Sequence, residues 1–142
     1  MKEAREFDEL IAMAKAAAEK AYAPYSDFAV GAAILTDSGK IFTGCNIENM
    51  SYGAAICAER TAAVKAVSEG ETEFIAIAVY HPGNDMPYPC GICRQVLNEF
   101  SPRMRVLVTW GGQASEPVQT DETTLDALLP NSFGPESLGE RV

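Results

Sequence analysis

The chain has 142 residues, 47% of them hydrophobic and 22% charged, which is ordinary globular composition and excludes a disordered segment or a coiled coil. Lys and Arg number 11 against 20 Asp and Glu, and the resulting net charge of -9 repels a phosphate backbone, so long nucleic acid is excluded as a partner. No apolar run reaches the roughly 18 residues a membrane span needs, and Met1-Lys2-Glu3-Ala4-Arg5-Glu6 carries no apolar signal region, so a single cytoplasmic domain over residues 1–142 is expected.

Apolar residues at Phe7, Leu10, Ile11, Ala14, Ala17, Ala18 and Ala21 recur at helical spacing and predict a first helix over 7–21, ended by Pro24. After a loop at Tyr25-Ser26-Asp27, the stretches 28–36 and 40–45 flank the turn-forming Asp37-Ser38-Gly39 and predict a β-hairpin. Residues 57–67 read as a second helix, with Ala62, Ala63, Ala66 and Val67 small enough to let it lie close to a sheet. The apolar run 74–80 predicts a strand buried on both faces. A third helix over 93–100 is closed by Pro102, and a strand over 105–109 follows. Val118 falls in a short edge strand, 124–129 in a short helix, and 130–142 in a mostly irregular tail. Strand alternates with helix from Ile75 on, with crossovers long enough for parallel pairing. The expected fold is α/β, a three-layer α/β/α sandwich around a mixed five-stranded sheet.

Of the four cysteines, Cys90 and Cys93 form a close pair. In a chain without signs of secretion such a pair points to metal or redox chemistry and away from disulfides. The motifs Cys57-Ala58-Glu59 and Pro89-Cys90-Gly91-Ile92-Cys93 each open a predicted helix, where free amide N–H groups and the helix dipole favour a thiolate. Cys90 and Cys93 share one side of a helical turn, so three thiolates converge if the two helix starts meet. Three protein ligands leave a tetrahedral zinc ion one open position for water, the mark of a catalytic site, and zinc brings the pKa of that water toward neutrality. Glu59 is placed to move a proton between the water and the ring nitrogen of a bound base. A redox dithiol would need neither the third cysteine nor the glutamate.

Three thiolates make such a site anionic. Arg60 and Arg94 lie next to the ligands and could donate hydrogen bonds to sulfur, with Arg60 favoured for keeping the zinc electrophilic; an exposed helix-surface arginine is the alternative. Cys45 reads as a small buried apolar residue at a strand end, because a fourth thiolate would close the site. His81, before Pro82-Gly83, reads as a loop residue and not a ligand.

These residues and their surroundings resemble the small homotetrameric, zinc-dependent cytidine deaminases, whose Cys₃ ligation, non-ligating Glu and Pro-Cys-x-x-Cys segment match this chain. The matching stretches are Tyr25-Ser26-x-Phe28-x-Val30-Gly31-Ala32-Ala33, Thr43-Gly44-Cys45-Asn46-Ile47-Glu48-Asn49-x-Ser51-Tyr52, Ile56-Cys57-Ala58-Glu59-Arg60-Thr61-Ala62, Pro89-Cys90-Gly91-x-Cys93-Arg94-Gln95-Val96-Leu97 and Leu128-Leu129-Pro130-x-Ser132-Phe133-Gly134-Pro135. The resemblance implies one zinc per subunit on Cys57, Cys90 and Cys93, with Glu59 as proton shuttle. It implies that Phe28 packs on the pyrimidine, Asn46 and Glu48 bind the ribose, and the backbone at Ala58 holds the base carbonyl. It further implies a homotetramer in which Tyr52 and Phe133 complete neighbouring pockets, acting on cytidine or 2′-deoxycytidine in nucleoside salvage. Read without it, Phe28 and Phe133 are core aromatics, and Asn46 and Glu48 turn and surface residues.

Some positions depart from the family pattern. Tyr88, whose backbone carbonyl would accept from leaving ammonia, stands where Ser or Thr is usual. Ile92 replaces a smaller residue, Met50 and Ala54-Ala55 alter the pocket rim, and Trp110-Gly111-Gly112-Gln113 has no assigned role. A blasticidin S deaminase-like activity on a modified cytosine nucleoside and a non-catalytic zinc-stabilised binding domain are the competing readings. The first is disfavoured by Glu59-Arg60-Thr61-Ala62 and Asn46-Ile47-Glu48-Asn49, and the second has no use for Glu59.

Overall fold

Alternate residues of a strand face opposite sides, and in the middle of this chain both sides are apolar. The computed structural model describes residues 2–141, with side-chain surroundings given for residues 7–139. Five strands, β1 (Gly31–Thr36), β2 (Ile41–Cys45), β3 (Phe74–His81), β4 (Arg105–Gly111) and β5 (Val118–Thr124), form one mixed sheet in the order β2-β1-β3-β4-β5. β3 and β4 pair parallel, and the pairs β1–β2, β1–β3 and β4–β5 are antiparallel. Helix α1 (Lys2–Ala18) covers one face. Helices α2 (Ala58–Ser68), α3 (Gly91–Phe100) and α4 (Leu125–Leu128) cover the other, completing the three layers.

The two faces are built differently. Ala33, Ala76 and Ala78 meet Leu10, Ala14 and Ala18 of α1 in a layer of small side chains. Ile34, Ile77, Val79, Val106 and Val108 fill the opposite face beneath Ala58, Ala62 and Ala66 of α2 and Leu97 of α3. Two glycines let the helices come this close. A Cβ on Gly31 would lie 2.0 Å from the Ala14 carbonyl oxygen of α1, and one on Gly44 would lie 2.6 Å from the Ala58 carbonyl oxygen at the start of α2.

The structure moves several predicted boundaries. The first helix stops at Ala18, three residues before Ala21, because Tyr22 turns out to pair with another segment: its N–H donates to the Asn46 carbonyl at 2.9 Å and its carbonyl accepts from Glu48 N–H at 2.8 Å. Residues 28–30 leave the expected hairpin strand, since Asn46 Oδ1 accepts the Val30 N–H at 2.9 Å and Nδ2 donates to the Phe28 carbonyl at 2.8 Å. The third helix begins at Gly91, ahead of Cys93, and Ile75 of the strand read as buried on both faces is exposed. The edge strand is seven residues long, although its sequence is polar, because β4 supplies a full ladder for it. Residues Pro135–Arg141 form 3₁₀ turns broken at Gly139, and Val142 lies outside the described residues.

The segment 110–113 proves to be a clasp. The Tyr80 hydroxyl donates to the Gly111 carbonyl, Gln113 Nε2 donates to the Tyr80 hydroxyl at 3.3 Å, and Lys15 Nζ of α1 donates to the Gly112 carbonyl at 3.1 Å. It ties α1 to the ends of β3 and β4.

Overpacking at a helix–sheet contact costs roughly 1–3 kcal/mol. Gly31→Ala is expected to lose stability of that order in urea denaturation. Gly53→Ala, where a Cβ meets nothing within 4 Å, is expected to stay within about 0.5 kcal/mol of the parent.

Candidate active site

Each ligand motif sits at a helix start. Cys57 caps α2 and Cys90 caps α3, both with extended backbone, and Cys93 lies in the first turn of α3. The Cys57 carbonyl accepts the Thr61 N–H and the Cys90 carbonyl accepts the Arg94 N–H, each at 3.0 Å, so both helices open at the cysteine itself. This directs two positive helix ends at one point.

At that point the Sγ atoms of Cys57, Cys90 and Cys93 lie within 4.8 Å of one another, with Cys57 and Cys90 3.7 Å apart. Zinc–sulfur bonds of about 2.3 Å in tetrahedral geometry separate two sulfurs by about 3.8 Å, so the donor set fits a zinc ion. The thiol chemistry agrees. A hydrogen bond from Cys93, with Arg60 alongside, brings the Cys57 thiol down to about 5, while that same bond and burial push Cys93 up. Metal binding draws the remaining protons off such ligands. Cys45 stands apart: it is half-buried, less buried than expected, and its Sγ reaches the Lys20 carbonyl at 3.4 Å.

The two arginines have different partners. Arg60 Nη2 donates to Cys57 Sγ at 3.6 Å. Arg94 does not bond sulfur; its Nε donates to the Pro89 carbonyl at 2.7 Å and its Nη1 to the Leu128 carbonyl at 2.8 Å, tying the Cys90 segment to α4.

Beside the sulfurs lies a cavity of about 330 Å³, the size of a small-molecule site, lined among others by Phe28, Asn46, Glu48, Cys57, Ala58, Glu59 and Cys90. Glu59, in the first turn of α2, is 4% exposed, and burial pushes its carboxyl up to about 7. Glu48 is braced from outside: its Oε1 accepts the N–H of Tyr25 at 2.9 Å and of Ser26 at 3.2 Å, and the Ser26 hydroxyl donates to Oε2. The Ser26 hydroxyl and these amides hold the Glu48 carboxyl below its ordinary range. Asn46 spends one donor and one acceptor on the backbone of residues 28–30, so it shapes the wall that carries Phe28.

Tyr52 and Phe133 do not join this cavity within the protomer; they are 79% and 65% exposed. Met50 and Ala54 are also exposed and outside the lining, as is Ile92 on α3. Tyr88 does line it, and its hydroxyl donates to Asp121 of β5, fastening the segment before Cys90 to the sheet edge.

His81, read from sequence as a loop residue, is the last residue of β3, buried, and stacked on Phe28 with ring centroids 3.7 Å apart and planes 11° apart. The signal was period two: Ile77, Val79 and His81 share the face that carries α2 and α3. Ser26 and Asp121 were also missed, since each acts through a partner distant in sequence.

Comparison with known proteins agrees with this geometry. The family model described as the cytidine and deoxycytidylate deaminase zinc-binding region matches residues 4–109. A cytidine deaminase from Sporosarcina psychrophila is 47% identical over 132 residues, covering 92% of this chain and 93% of that protein. A crystal structure of cytidine deaminase from Burkholderia pseudomallei superposes with a TM-score of 0.78 at 48% identity, over 89% of this chain and 98% of that one. The cytidine deaminase structure from Mycobacterium tuberculosis gives a TM-score of 0.74 at 39% identity, over 90% and 97%. With its sulfur trio, its buried glutamate and matches over nearly its whole length, the chain belongs to the cytidine and deoxycytidylate deaminase family.

Proposed function

We propose that this chain is a zinc-dependent cytidine deaminase that converts cytidine and 2′-deoxycytidine, with water, to uridine and 2′-deoxyuridine plus ammonia in pyrimidine nucleoside salvage. One observation carries the reading: the buried Glu59 and the sulfur cluster border the same nucleoside-sized cavity as Phe28, Asn46 and Glu48. Residues 1–142 act as one catalytic domain, and four free thiols suit the reducing cytoplasm. Among the described residues no helix is long and apolar enough to cross a membrane.

Cys57, Cys90 and Cys93 hold the zinc, which when bound supplies an acidified water as nucleophile at neutral pH. Glu59 takes one proton from the attacking water at a carboxylate oxygen and delivers it to ring N3 as the C4–O bond forms. It then takes the remaining proton of the new C4 hydroxyl and passes it to the amine, which leaves as ammonia while the C4–N bond breaks and the C4 carbonyl forms. A carboxyl near 7 both accepts and returns a proton at neutral pH, which suits a group used in both directions. Phe28 packs on the pyrimidine and the backbone at Ala58 holds its carbonyl. Glu48, pre-oriented by Ser26, and Asn46 bind the ribose; Glu48 is held as the charged acceptor a hydroxyl needs. Arg60 draws charge from Cys57.

In the proposed homotetramer, Tyr52 and Phe133 complete the cavities of neighbouring protomers, which accounts for two large aromatic side chains left exposed here.

Glu59→Gln is expected to lose roughly 10²–10⁴-fold in kcat while keeping zinc and fold, and retained turnover would refute the proton role. Cys90→Ala is expected to lose its zinc by elemental analysis. Arg60→Gln, with zinc content equal to the parent's, is expected to lose about 10–100-fold in activity; unchanged turnover removes Arg60 from the mechanism. Sedimentation is expected to give four chains per particle, and Phe133→Ala to weaken cytidine turnover in particles that remain tetrameric; an active monomer would overturn the shared pocket.

A further inference from the structure

Phe28 lies against the ring of His81 at the end of β3. The β1–β3 ladder ends at the Gly31–Tyr80 pair, so His81 follows it directly on β3 and lies beside the segment 28–30 that leads into β1. The two rings stack at 3.7 Å and 11°, so His81 takes one face of Phe28, and Phe28 also lines the cavity. His81 Nδ1 also lies 2.7 Å from the Ala29 carbonyl oxygen. A carbonyl only accepts, so Nδ1 carries the proton and donates.

The imidazole is closed in from a third direction. A Cβ on Gly83 would stand 2.7 Å from His81 Nε2, so the loop after β3 runs directly against the ring edge. Phe28, the Ala29 carbonyl and the Gly83 backbone together leave His81 little room to shift. His81 itself does not line the cavity.

We infer that His81 is a positioning residue for the nucleobase: stacked behind Phe28 and bonded to Ala29, it fixes the plane and depth of the ring on which the pyrimidine packs. This rests on the deaminase reading above and deepens it. A wall fixed in advance lowers the ordering cost of binding. The pyrimidine packs on that wall in both ground and transition states, so the contribution is to uniform binding and is read in KM, with kcat little changed.

The test is steady-state deamination of cytidine by purified, zinc-loaded variants, with zinc content and Tm measured for each. His81→Ala is expected to raise KM about 3–10-fold, the size of a lost aromatic pair, with kcat within about twofold. His81→Phe keeps the stack and is expected to recover most of that loss, whereas His81→Asn keeps a donor without the ring and is expected to resemble alanine. Gly83→Ala pushes the imidazole and is expected to raise KM in the parent but add nothing in the His81→Ala background.

Unchanged KM in His81→Ala, no recovery in His81→Phe, or an equal Gly83→Ala effect in both backgrounds overturns the inference. If His81→Ala does not fold, Gly83→Ala decides: an unchanged KM overturns it. Parent protein that releases no ammonia from cytidine overturns the deaminase reading and this inference with it, while an active parent with insensitive variants overturns this inference alone.

Discussion

Two helix N-termini, far apart in sequence, meet closely enough for sulfurs from both to grip one metal ion. The Cys57–Cys90 separation of 3.7 Å tolerates little error, so the supports of α2 and α3 are under the same constraint. α2 is seated by its backbone against Gly44, where even a methyl group would meet the Ala58 carbonyl. α3 follows β3 on the parallel crossover to β4, and Arg94 and Tyr88 fasten its entry to α4 and β5. The alanine-rich α1 face and the clasp around Tyr80 brace the sheet from behind.

Charge is arranged around the same point. The helix dipoles and the Arg60 guanidinium favour thiolates, and the pKa of the Cys57 thiol is lowered by its hydrogen bonds to Cys93 and Arg60. Glu59 lies two residues beyond Cys57 in the first turn of the same helix, yet burial pushes it the other way, toward the protonated form. Acceptors that suit a cation thus sit beside a group able to carry a proton at neutral pH, a division set by burial and neighbours and not by residue type.

The opposite wall of the cavity depends on a short irregular segment. Residues 28–30 leave the sheet, and side chains replace its ladder: Asn46 bonds both Phe28 and Val30, and His81 bonds Ala29 while stacking on Phe28. Backbone groups that leave a ladder need other partners, and here those partners also hold the segment that carries the aromatic ring.

The sequence by itself determined the helices and strands, the alternation that makes a layered α/β fold, and the two motifs that carry the cysteines and Glu59. Those signals are local: periodicity, turn residues and spacing within one helical turn act over a few residues. Only the tertiary structure decided that α1 stops at Ala18, that polar residues 118–124 form a full strand, that Arg94 serves backbone carbonyls while Arg60 serves sulfur, and that His81 stands behind Phe28. Each of these depends on a partner supplied by a distant part of the chain: Asn46 for Tyr22, β4 for β5, Leu128 for Arg94, and Phe28 for His81. Hydrogen bonds and ring contacts reach only a few ångströms, so no local pattern can announce which residues, decades apart in number, the folded sheet will bring within that reach.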